Sequence, residues 1–199
     1  MRALLLSVLV LGGACGDDDD TSCMPMTPRD PVEMEIIQRQ GTAAVPVNDD
    51  DTVDLIFPPQ AGRVIIAGAH LKNAPTNVNV KGWLTDPDAP SEIIGLVINP
   101  VTYADAPAAD GWTYPRQQAE ISDYANISAC PKQGLPQDVN DQVWTLHIEI
   151  LDSCGMETLA SKTVNVTPVC SEAGMIDQCV WECDQGYDGS ICMPPDAGP

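Results

Sequence analysis

The chain reads as an all-β protein: one antiparallel β-sandwich followed by a small disulfide-rich C-terminal module. Three observations predict this. Between residues 33 and 168 the apolar residues fall in short runs, spaced roughly 8–12 residues apart with turn residues between them. No amphipathic helix longer than two turns stands out. Four cysteines, Cys170, Cys179, Cys183 and Cys192, crowd the C-terminus. The 18 prolines and 15 glycines follow no period, which excludes a collagen-like or solenoid chain.

Taken in order, residues 52–57 form a strand that stops at Pro58-Pro59. Residues 62–71, GRVIIAGAHL, are nearly continuous and apolar, as a central sandwich strand is. Residues 77–84 alternate, with Val78, Val80 and Gly82 on one face. Residues 92–99, EIIGLVIN, are another apolar strand. The stretch 112–127 is ambiguous, and residues 117–121 start either a strand or a short helix. The clearest strand is 143–151. Trp144, Leu146, Ile148 and Ile150 point one way, and Val143, Thr145, His147 and Glu149 point the other. Asp152-Ser153-Cys154-Gly155 supplies turn chemistry, and residues 161–167 return with Val164 and Val166 on one face. Only one phenylalanine is present, so the core rests on Val, Ile, Leu and Ala.

The closing pattern Trp144-x-Leu-x-Ile-x-Ile-x-Asp-x-x-Gly155, followed by Thr163-Val-x-Val, resembles the last two strands of bacterial immunoglobulin-like domains. That resemblance implies an immunoglobulin-like antiparallel sandwich over residues 33–168, and nothing about function. Residues 169–193 form the cysteine module. The spacing C-x2-G-Y-x-G-x2-C from Cys183 to Cys192, through Gly186, Tyr187 and Gly189, resembles the last loop of an epidermal-growth-factor-like module. The resemblance implies a Cys183–Cys192 bridge and leaves Cys170 with Cys179. The upstream spacing departs from the family, so the module is a truncated relative. In the middle segment Cys130 is expected to pair with Cys154. Cys23 is either free or caps another region.

The first twenty residues, MRALLLSVLVLGGACGDDDD, place a basic residue before an apolar run and small residues before Cys15. That order is a secretory signal. Leu11-Gly12-Gly13-Ala14-Cys15 resembles the processing site of bacterial lipoproteins, although Gly12 stands where leucine is usual. The resemblance implies cleavage after residue 14, acylation of Cys15 and attachment to a membrane, the outer membrane of a Gram-negative cell. Residues 15–32 are then an acidic disordered tether, because like charges repel and stay solvated. Residues 194–199 are expected to be a disordered tail.

Lys and Arg number 9 against 29 Asp and Glu, a formal charge of −20. Nucleic-acid binding needs a basic footprint, and none exists. Exported cysteines favour disulfides over zinc, and no CxxC pair or neighbouring histidine suggests otherwise. Calcium, a hard cation, would use hard oxygen ligands of the loops; the candidates are Asp86, Asp88, Asp138, Asn140 and Asp141. No other cofactor is expected. The two histidines, His70 and His147, come with no nucleophile elbow, HExxH or phosphate loop. The sequence therefore predicts a non-enzymatic interaction or structural module with an unknown protein or glycan partner. The alternatives are a calcium-dependent adhesin or carbohydrate-binding domain and, lower, a hydrolase with an unrecognised site. An open cleft lined by Trp83, Trp112 or Tyr114 would mark sugar binding.

Overall fold

Period-two alternation builds two stacked sheets. The computed structural model describes residues 28, 30–58, 62–131, 135–184 and 186–187. The signal, Cys15, most of the acidic tether, Cys23, Cys192 and the tail lie outside the described residues. Nine strands are present among the described residues: β1 (Glu33–Gln40), β2 (Ala43–Pro46), β3 (Asp51–Leu55), β4 (Arg63–Lys72), β5 (Asn77–Thr85), β6 (Ile93–Thr102), β7 (Ala125–Cys130), β8 (Trp144–Leu151) and β9 (Thr158–Cys170). One sheet has the order β2-β1-β4-β7 and the other β3-β9-β8-β5-β6. Two face-packed sheets in this order form an immunoglobulin-like sandwich.

The inner faces supply the main core. Ile36, Ile65, Ala67, Ala69, Leu71, Ala125 and Ile127 of the four-stranded sheet meet Val80, Leu84, Trp144, Leu146, Ile148, Ile150, Val164 and Val166 of the other. Trp144 is fully buried. The two sheets approach closely at Gly82 of β5. A Cβ there would lie 2.9 Å from Ile127 Cδ1 and 3.0 Å from the Ala125 Cβ.

The strand expected from residues 62–71 is β4, and it is buried on both faces. Its outer face is covered by the long connection from β6 to β7. Ile37, Val64, Ile66 and Tyr124 form a second small core there, with Ala44, Ile56 and Ile121 against it. The ambiguous stretch resolves into this strap. It holds a single 3-10 turn at Ile121–Asp123 and then enters β7. Leu71 and Thr113 exchange backbone hydrogen bonds of 3.0 and 2.7 Å, which pin the strap to the sheet edge.

One strand pairing departs from the antiparallel expectation: β3 lies parallel to β9, with Asp51 opposite Val166 and Leu55 opposite Cys170. After β2 the chain changes sheets through a turn at Asn48 to Asp51, where Asp50 has φ 66°. It therefore joins the last strand in the same direction. Gln38, 4 % exposed, locks the crossing. Its amide donates to Thr52 O at 3.1 Å and accepts from Asp54 N at 3.0 Å, so a β1 side chain serves as the neighbour on the free edge of β3.

The cysteines pair differently from the expectation. Cys130 is bonded to Cys183, not to Cys154. The reason is length: β8 carries the chain about 23 Å from Trp144 to Leu151, so Cys154 emerges at the opposite end of the sandwich. A disulfide tolerates at most about 7 Å between Cα atoms. Since Cys183 is occupied by Cys130, the Cys183–Cys192 bridge implied by the growth-factor resemblance does not form. Cys170 pairs with Cys179, as expected. The segment after β9 forms a short helix, α1 (Ile176–Glu182), and Cys179 and Cys183 sit in the main core. The disulfide-rich segment is thus stapled onto the sandwich.

Candidate functional site

The outer face of the five-stranded sheet combines aromatic, aliphatic and hydroxyl groups. Strand register sets its rows. Trp83 of β5 lies opposite His147 of β8, which lies opposite Thr163 of β9. Lys81 lies between Ile98 of β6 and Glu149 of β8. Trp83 and His147 stack with ring centroids 4.7 Å apart and planes 5° from parallel. Thr85 Oγ1 and His147 Nε2 share a hydrogen bond of 2.8 Å. Burial lowers the His147 pKa, against the opposing pull of Glu149. The imidazole is therefore neutral near pH 7 and acts as an uncharged surface group.

Beside these polar groups runs an apolar edge. Ile93, Leu96 and Ile98 of β6 are 49, 55 and 51 % exposed. The sequence marked this strand as apolar but did not show that half of it faces solvent. The signal was Gly95, which takes φ 68° and breaks the alternation between Ile94 and Leu96. Lys81 and Glu149 bond to each other at 2.8 Å, so these two ionised groups cancel. The patch is thus locally neutral on a chain of formal charge −20.

A second cluster sits where the strap crosses β4. His70 is 7 % exposed, and its Nε2 has no hydrogen-bond partner among the described residues. The Tyr114 ring meets it edge-on at 4.2 Å. Desolvation pushes the His70 pKa down to about 4, against the charge of Asp110. Asp110 accepts from Trp112 N at 3.0 Å and from the Tyr114 hydroxyl at 2.8 Å, and these bonds lower its own pKa. The same bond raises that of Tyr114. The Lys72 ammonium stands 4.4 Å from the Trp112 ring centre. Trp112 and Tyr114 therefore belong to the strap over the four-stranded sheet, whereas Trp83 stands on the other sheet. The structure does not gather the three rings into one cleft. Among the described residues no carboxylate hydrogen-bonds to either imidazole.

The acidic candidates serve their own loops. Asp86, 5 % exposed, accepts from Asp88 N at 2.7 Å. Asn140 accepts from Cys170 N at 2.8 Å and donates to Asp141 at 2.8 Å. The Asp138 carbonyl accepts from the Trp144 indole at 3.2 Å. Among the described residues, the one grouping of three potential metal-binding side chains is Cys170, Cys179 and Cys183, whose sulfurs are already in disulfides. Among the same residues no helix is long and apolar enough to cross a membrane. The chain matches no family model, and comparison with curated proteins and with solved structures finds no match.

Proposed function

We propose that the protein is an exported lipoprotein, held to a membrane through acylated Cys15, whose sandwich is a non-enzymatic interaction module. The neutral face around Trp83, Leu96 and Ile98 is its contact surface. One observation carries this reading: on a strongly acidic chain, the outer face of the five-stranded sheet exposes adjacent aliphatic side chains beside a stacked aromatic pair and a self-cancelled ion pair. Contiguous exposed apolar surface of this kind marks interaction sites. The order of charge, apolar run and Cys15 in the first twenty residues supports the anchor.

Two measurements test the two halves. Phase partition in a cloud-point detergent should place the wild-type chain in the detergent phase and Cys15→Ser in the aqueous phase. Equal partition of both overturns the anchor. A photo-crosslinker at position 98 in intact cells should capture a discrete adduct that Leu96→Asp abolishes, while a crosslinker at position 117, in the strap over the other sheet, captures none. Equal capture at both positions overturns the contact face.

A further inference from the structure

The turn between β8 and β9 holds Cys154, and Cys154 is disulfide-bonded. Cys130 is taken by Cys183, and Cys170 by Cys179. The remaining cysteines of the chain are Cys15, Cys23 and Cys192. We infer that the partner of Cys154 is Cys23, and that this bond staples the sandwich to the chain close behind the proposed anchor.

The position of Cys154 is fixed by its turn. Asp152 accepts from Met156 N at 2.7 Å and from Glu157 N at 3.1 Å, and Gly155 takes φ 68°. Asn79 of β5 donates to Asp152 O at 2.9 Å and ties the turn to the sheet. The chain leading into β1 passes this turn. Pro28, Asp30, Pro31 and Val32 line a surface cavity of about 300 Å³ together with Glu157, Thr158 and Leu159. Asn73 fixes that segment by donating to Pro31 O at 3.1 Å. Cys23 is five residues before Pro28, a reach of about 17 Å, and Glu157 is three residues from Cys154.

Cys192 has no such route. It follows Tyr187 by five residues, and Tyr187 packs on Trp181 of α1 at a centroid distance of 4.7 Å. The helix is held at the other end of the molecule, where Glu182 meets Arg63 at 2.8 Å and Cys183 meets Cys130. β9 alone spans about 40 Å between Thr158, beside the Cys154 turn, and Cys170, beside the helix. Five residues close less than half of that. Cys15 lies eight residues further from the fold than Cys23 and is acylated in the proposed lipoprotein. The bond forms when two thiols lose two protons and two electrons to a disulfide oxidant of the exported compartment.

The membrane consequence rests on the proposed anchor. Among the described residues, the first tie to the fold is the bond from Asn73 to Pro31 O. With the disulfide, eight residue steps separate Cys15 from Cys23, at most about 30 Å when fully extended. The end of the sandwich that carries the β8–β9 turn is then held within that distance of the proposed anchor.

Peptide mapping of the full-length protein, alkylated without reduction, tests the inference. Asp-N and trypsin together release residues 20–29 and 152–162, each holding one cysteine. The expected result is these two peptides joined by a bond that dithiothreitol breaks. Alkylated Cys23 or Cys154 overturns it, and so does Cys154 joined to a peptide holding Cys15 or Cys192. The mass of the peptide that begins at Cys15 reports acylation separately, so failure of the anchor and failure of the bridge are distinguishable.

Discussion

Arg63 has no exposed side-chain surface, yet it carries a charge. Glu182 meets it at 2.8 Å, Glu172 at 3.4 Å, and the Phe57 ring lies 4.9 Å from its guanidinium carbon. Removing one member of a buried pair strands the other. Arg63→Ala is expected to destabilise the protein by about 3–5 kcal/mol, whereas Arg63→Met combined with Glu182→Leu costs far less. Urea unfolding checks both. His70 gives a pH dependence. Its folded pKa of about 4 lies below the unfolded value of 6.5, so the unfolded chain binds more protons in that window. Stability is therefore full above pH 6.5, falls as the pH drops, and has lost the whole contribution, up to about 3 kcal/mol, below pH 4. A His70→Gln variant should show a shallower fall in thermal midpoint between pH 6.5 and 4. An equal slope in both proteins would sink this assignment. Neither role was legible beforehand. A lone histidine or arginine in an apolar strand gives no sign of what will be laid over it.

At the scale of elements, the strap makes β4 a strand with two cores. Tyr124 is fully buried, its hydroxyl donating to Gln118 O at 2.9 Å, and burial raises its pKa to about 12. Tyr124→Ala is expected to cost about 3–5 kcal/mol by opening a cavity over Ile37 and Ile66. Tyr124→Phe should cost only about 1 kcal/mol, the net value of one hydrogen bond. Chemical denaturation of the two variants separates packing from polarity. The legibility of the strands follows the same physics. β8 was readable because one face is wholly apolar and the other polar. β1 was not, because Ile36, Ile37 and Gln38 are buried in succession, facing different layers, and leave no period to detect. β3 was visible as a strand, but its direction depends on a neighbour more than a hundred residues away. No local pattern encodes that.

For the whole molecule, the bridges decide how the C-terminal segment is held. On the chain-entropy model the Cys130–Cys183 link, at a sequence separation of 53, contributes about 4 kcal/mol, and the Cys170–Cys179 link, at a separation of 9, about 2.5 kcal/mol. Cys183→Ser should therefore lower the unfolding midpoint more than Cys170→Ser. Calorimetry of the two single variants gives the order. That the cysteines of the described residues are bridged was legible from the cysteine count. The partners were not, because pairing depends on which end of the sandwich each loop reaches, and one strand length reverses it.

The edges of the two sheets have a consequence for copies of this chain held side by side on one surface. β2 has four residues and ends in Pro46, which has no N–H to offer. The outer edge of β3 is occupied by the Gln38 amide. β6 is interrupted by Gly95 and Pro100, and Asn99 spans to the start of β7 by donating to Tyr124 O at 2.6 Å. These three edges are short, occupied or broken, which disfavours backbone-to-backbone pairing of adjacent molecules along them. Crowding would instead leave each copy a separate particle.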